Sequence, residues 1–152
     1  MTKRMIVATL SLAGIFVALY LLLYKLGIIG NLTCSIGSCE TVNLSKWATF
    51  LGAPVAAWGV GFYFVMFGLS LVSLQDRHAD SLGMSKALAL VSGSGVAFSA
   101  WLTYLELFVI HAICQWCVVS AIIVSVIFVF ALLDLRDRSS LAGVDSSALQ
   151  NL

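Results

Sequence analysis

Four long apolar runs constrain this chain more than any other feature. Residues 5–26 carry one charge, Lys25, near their end; residues 54–74 carry none; residues 87–110 carry only Glu106; residues 117–133 carry none. Crossing a hydrocarbon core about 30 Å thick takes roughly 20 helical residues. Within lipid every backbone N–H and C=O must be satisfied internally, which a helix does segment by segment. The first three runs are long enough as they stand. The fourth is long enough if it starts at Cys114, which sets Cys114 and Cys117 in the first turn of the last helix, at the membrane surface.

Composition points the same way. The chain is 61% hydrophobic and 10% charged, where a soluble domain has about 45–50% and about 25%. A net charge of +1 leaves no basic face for phosphates and no acidic face for cationic partners. A soluble enzyme, a disordered tail and a nucleic-acid binder are excluded. The expected fold is all-α. It is an integral membrane bundle of four transmembrane helices over residues 1–135, spanning about 5–26, 54–74, 87–110 and 114–133, with a flexible cytoplasmic tail over residues 136–152. Lys3 and Arg4 resemble the basic head of a signal peptide. The apolar run behind them exceeds the usual length of about 7–15, and no small-residue cleavage site follows, so a retained helix is predicted.

Four spans put the N-terminus, the connection between the second and third runs and the C-terminus on one side. Those segments hold Lys3, Arg4, Arg77, Lys86, Arg136 and Arg138, against Lys25 and Lys46 on the other. The excess makes the first side, with both termini, cytoplasmic. The connection over residues 27–53 then faces the periplasm or exterior of an inner (cytoplasmic) membrane. It is too long for a plain connector. Within it Trp47, Ala48, Phe50 and Leu51, closed by Gly52, predict a short amphipathic helix lying on the membrane. Pro54 suits the first turn of the second span. Gly93 and Gly95 predict close helix packing, and Trp47, Trp58, Trp101 and Trp116 suit interfacial anchoring.

All four cysteines fall on the outward side: Cys34 and Cys39 in the loop, Cys114 and Cys117 as Cys-Gln-Trp-Cys. Disulfides persist in such a compartment. Three readings are open: structural disulfides, a zinc or mercury site, or redox catalysis. The spacing favours the third. At a helix N-terminus, unpaired N–H groups and the helix dipole stabilise a thiolate, the species that attacks disulfides and departs from them. A haem-binding C-x-x-C-H and a dinucleotide fingerprint are both lacking. A quinone, which dissolves in the same membrane and accepts two electrons, is the natural sink.

The ordered set Cys34-Ser-Ile-Gly-Ser-Cys39, then Ser45, then Gly52-Ala-Pro54-Val-Ala-Ala-Trp-Gly59-Val-Gly-Phe-Tyr63, then Cys114-Gln-Trp-Cys117 resembles the vitamin K epoxide reductase family in its bacterial or archaeal form, over roughly residues 5–135. The resemblance implies a four-helix bundle around a quinone, menaquinone or ubiquinone, capped by the loop. It implies that Cys117 donates electrons to the quinone and that Cys114 exchanges with the loop. Cys39 would pass electrons to Cys114, and Cys34 would face the external thiol protein. Ser45 would donate a hydrogen bond to a quinone oxygen, or else cap the short helix. Animal members that reduce vitamin K carry an Asn and a Tyr where Val55 and Ala121 stand here, which favours a plain quinone over the epoxide. Many bacterial members carry a fused thioredoxin-like domain; here the partner is expected to be a separate thioredoxin-fold, DsbA-like protein.

Glu106 has a functional reading, proton relay to a reduced quinone, and a bland one, snorkelling or pairing with Lys25 or Lys46. His111, three residues before Cys114, is read as a proton acceptor or thiolate stabiliser, or as an exposed loop histidine; His78 is given no role. The expected activity is a disulfide-generating membrane oxidoreductase. Electrons pass from a reduced thioredoxin-fold protein to Cys34/Cys39, then to Cys114/Cys117, then to quinone. Two alternatives stand beside it. A DsbB-type oxidase places its C-x-x-C near the first outer loop instead of last. A mercury-type membrane carrier needs thiols along a transport path, whereas all four cysteines here are expected outside.

Overall fold

A computed structural model describes residues 2–75 and 82–150. Arg77 and His78 lie outside the described residues. Four helices there are long and apolar enough to cross a membrane: α1 (Thr2–Lys25), α3 (Val55–Leu74), α4 (Leu82–Leu105), which continues as a π-helical turn over Glu106–Ile110, and α5 (Gln115–Gln150). The protein is an all-α, multi-pass membrane protein. Between α1 and α3 lie a short helix α2 (Cys39–Leu44), a 3₁₀ turn (Lys46–Ala48) and a two-stranded antiparallel hairpin, β1 (Thr49–Phe50) with β2 (Ala53–Pro54).

The amphipathic helix expected around residues 46–51 is corrected. The short α-helix lies earlier, over Cys39–Leu44, and only one 3₁₀ turn follows. Ser45 is extended, and Thr49 pairs with Pro54 and Phe50 with Ala53. The turn between the strands holds Leu51 at φ 53° and Gly52 at φ 81°. Two successive positive φ values make the two-residue turn whose twist matches a hairpin. Gly52 therefore reverses the chain, where the apolar spacing alone had read as a helix end.

The bundle core is small-residue packing around a few large side chains. Val7, Ile15 and Ala18 of α1 meet Tyr63 and Met66 of α3, Leu88 and Ala89 of α4, and Ile127 and Ala131 of α5. Helices in lipid have no water to exclude from one another, so close backbone approach supplies the contact energy. A side chain at Gly14 would overlap the Tyr63 ring, and one at Gly95 would strike Phe62 and Val124. Ser11, Ser70, Ser73 and Ser92 are fully buried, each donating its hydroxyl to a carbonyl of its own helix.

The last helix runs on to Gln150, beyond the end at 133 and through the segment read from sequence as a flexible tail. Its extension carries Asp134 into the bundle. Arg4, counted among the cytoplasmic-side cations ahead of the first span, is only 2% exposed and is bonded to Asp134 and Ser85.

Candidate active site

At the opposite end of the molecule from Arg4, the four cysteines come together. Cys39 and Cys114 are both buried in one cluster with Leu21, Leu32 and Val42, and Cys34 and Cys117 pack against it. Cys34 and Cys39 form a disulfide; Cys114 and Cys117 are thiols. The register is set by backbone pairing. Gly37 makes an antiparallel bridge to Cys114, and Ser38 N–H donates to Ile113 O at 3.0 Å. Gly37 has φ +88°, and a Cβ there would strike the Ile113 carbonyl. Gly37→Ala is expected to lower thermal stability in detergent by at least about 1 kcal/mol, since both the conformation and the space are lost.

Cys114 sits just before α5, at the end where helical N–H groups lack partners. Cys117 N–H reaches its sulfur at 3.4 Å. Its thiol pKa is drawn below the ordinary range, first by the hydrogen bond with the Cys117 thiol and then by the N–H groups of Cys117 and Trp116; burial and the Glu106 charge oppose this. A depressed pKa keeps the thiolate present at lower pH. A pH titration of thiolate absorbance on the reduced C-x-x-C pair should show its first macroscopic step below that of an ordinary, unperturbed thiol. Cys117→Ala, which removes the largest cause, should move the Cys114 step upward.

Glu106 turns inward and does not snorkel to the surface. It is 5% exposed, and its Oε2 accepts the Cys114 N–H at 3.1 Å. Its carboxyl also interacts with the Cys117 thiol. Lys25 donates instead to Asn43 O at 2.6 Å. The π turn over Glu106–Ile110 adds the extra residue that swings Glu106 back under Cys114, a device common at functional sites. His111 ends that turn at φ 54°, is exposed, and places Nδ1 3.1 Å from Leu107 O. It does not line the cavity described next; the left-handed backbone directs its ring back along its own turn.

A cavity of about 440 Å³ opens beside the sulfurs. Ligand pockets span about 300–1,000 Å³. Leu21, Phe62, Phe98 and Leu102 supply apolar wall from α1, α3 and α4, and Cys117 contributes the sulfur. Ser45 and Glu106 line it too, as do Val55 and Ala121. Ser45 Oγ donates to Val42 O at 2.7 Å, closing the end of α2. Ser45 makes no side-chain cap bond to the turn that follows it; its hydroxyl is spent on the preceding helix, and the residue lines the cavity.

Three wall residues were given no role of their own by sequence reasoning. Asn43 is 7% exposed; its Nδ2 donates to Cys39 O at 3.1 Å and lies 4.0 Å from Cys114 Sγ, so one amide touches both pairs. Tyr63 OH lies 2.8 Å from Ser120 Oγ, one turn beyond Cys117. A buried Asn four residues after a cysteine was a faint signal, and the Tyr63–Ser120 pair gave none. Phe50 meets Trp58, Phe98 and Trp101 edge-on, so two of the four tryptophans join an aromatic cluster at the cavity. Among the described residues no group of three or more His, Cys, Asp or Glu is gathered to hold a metal ion.

Compared with known families, residues 5–132 match the model of the vitamin K epoxide reductase family.

Proposed function

Because this chain belongs to the vitamin K epoxide reductase family, whose members are quinone-linked disulfide oxidoreductases of membranes, we propose that it oxidises a reduced thioredoxin-fold, DsbA-like protein and delivers the electrons to menaquinone or ubiquinone. The observation that carries this reading is Cys117 in the wall of an apolar cavity, with the loop disulfide packed in the same cluster. A bound quinone supplies a two-electron sink soluble in the same lipid as the helices. The residues suit such a ring: flat aromatic and aliphatic walls, with Asn43 and Glu106 gathered about the sulfurs. Val55 and Ala121 present only apolar groups to the cavity, which favours a plain quinone over an epoxide.

Burial orders the transfers. Cys34 is half-buried and Cys39 is 1% exposed, so an outside thiolate attacks Cys34 and releases Cys39. The Cys39 thiolate attacks Cys114 in the oxidised C-x-x-C and frees Cys117. The partner's second thiolate attacks its own sulfur in the mixed disulfide, which forms the partner's disulfide and releases the Cys34 thiolate; Cys34 then attacks Cys39, re-forms the loop disulfide and expels Cys114, whose low pKa favours departure. Cys117 is the electron donor. Glu106 takes the Cys117 proton and holds it for the acceptor oxygen, and Ser45 Oγ is the hydroxyl that steadies the ring.

The cysteine end faces the periplasm or exterior, and the Arg4–Asp134 end faces the cytoplasm, following the bias of lysine and arginine. A membrane-impermeant thiol reagent should then label cysteines only from outside.

The deciding experiment mixes reduced protein anaerobically with a short-tailed menaquinone or ubiquinone. Quinol should form with loss of the Cys114 and Cys117 thiols; no quinol with either acceptor overturns the proposal. Cys34→Ser should lower turnover fed by a reduced DsbA-type protein at least about a hundredfold, because the entry sulfur is gone.

A further inference from the structure

The two residues inside the C-x-x-C do not line the cavity; they hold the loop. Gln115 Oε1 accepts the N–H groups of Ser35 at 3.1 Å and Ile36 at 3.3 Å, immediately after Cys34. Trp116 Nε1 donates to Thr33 O at 3.0 Å, immediately before Cys34. Tyr20 braces this grip: its hydroxyl accepts the Thr33 N–H at 3.1 Å, and its ring meets Trp116 edge-on at 5.2 Å. Together with the Gly37–Cys114 bridge, the segment 33–38 is stitched along 113–116.

The side-chain hydrogen bonds of Gln115 and Trp116 go to loop backbone. The side chains of Ser35, Ile36 and Ser38 stay exposed, Ile36 at 75%, so the outer face of the loop is left for an incoming protein while its inner edge is fastened. These N–H groups belong to an irregular segment and would otherwise turn to water. Using the two residues between the cysteines as the fastener ties loop placement to the sulfurs themselves.

We propose that Gln115 and Trp116 are positioning residues that clasp the Cys34–Cys39 loop onto the C-x-x-C motif and thereby set the effective concentration of Cys39 at Cys114. The inference rests on the electron path proposed above. The step it governs is the attack of the Cys39 thiolate on Cys114, which forms the Cys39–Cys114 bond and breaks the Cys114–Cys117 bond, with the electron pair leaving on Cys117. Holding two reacting sulfurs on adjoining backbones raises the rate without adding a chemical group.

The test uses full-length protein carrying Cys34→Ser and Cys117→Ser, so that Cys39 and Cys114 are the only thiols left. Equilibration in buffers of glutathione and glutathione disulfide measures their effective concentration. Adding Gln115→Leu is expected to lower it about tenfold, the size of one lost two-bond acceptor. Trp116→Phe, which keeps the ring against Tyr20 and removes the donor, should lower it in the same direction. In protein with all four cysteines, quinol formation by pre-reduced Gln115→Leu should stay within about twofold of the parent, because the clasp lies off the cavity. Unchanged effective concentration in both variants overturns the clasp, as does an equal loss in quinol formation. Failure of the parent double variant to form any Cys39–Cys114 bond overturns the electron path instead.

Discussion

Reduced protein carrying Cys117→Ala is expected to form quinol at least about a thousandfold more slowly than the parent, the scale of losing a nucleophile from a catalytic unit. The reason is positional. Cys117 lines the cavity; Cys114 is fully buried and does not. Cys114 lies between Cys117 and the loop, receiving the Cys117 N–H on its sulfur and giving its own N–H to Glu106. No other sulfur reaches the wall among the described residues, so none can substitute. The variant removes one half-buried thiol and leaves the Cys34–Cys39 disulfide and its backbone pairing in place, so loss of activity with an unchanged thermal transition separates chemistry from folding. Anaerobic stopped-flow absorbance measures it. Quinol formation at the parent rate would assign the donor role to a different sulfur.

Asp134→Ala should lower stability by about 3–5 kcal/mol, the loss seen when a buried ion pair is broken from one side. Arg4 is 2% exposed and spends its whole guanidinium inside the bundle. Nε and Nη2 donate to Asp134 Oδ2 at 3.2 and 3.0 Å, Nη2 also donates to Ser85 Oγ at 3.0 Å, and Nη1 donates to Ser73 O. Ser85 Oγ donates to the same carboxylate at 2.7 Å. One charge thus joins all four long helices, and without Asp134 it stays buried and unmatched. The nearby Lys3–Asp137 pair is exposed, and Asp137→Ala should move stability by less than about 1 kcal/mol. Thermal unfolding in detergent compares the two. Arg4→Met with Asp134→Leu should recover much of the loss, because apolar replacement of both partners removes the desolvation burden along with the attraction. Equal effects of Asp134→Ala and Asp137→Ala would mean that the interior pair is hydrated.

Much of this architecture was readable residue by residue. Runs with almost no charge can only be satisfied as helices in lipid, so the four-span all-α fold was plain, and the ordered cysteines with Ser45 and Gly52–Gly59 carried the family. Glu106 was flagged because an acid within an apolar run must have a reason to be there. The loop was harder. Residues 46–51 have helix-like apolar spacing, yet Gly52 serves a hairpin turn, and periodicity over six residues does not separate the two. Gln115 was given no role and Trp116 was read as an interfacial anchor; their partners are backbone groups about 80 residues away, which no local pattern encodes.

Chain chemistry alone dictated that this protein lives in lipid, spans it four times and gathers its thiols at one rim, because hydropathy and residue order act segment by segment. Which sulfur borders the cavity, which carboxylate lies under Cys114, and that Arg4 is an interior cation followed from folding. Those properties belong to pairs of side chains on different helices, and they come into being when close packing brings those helices together.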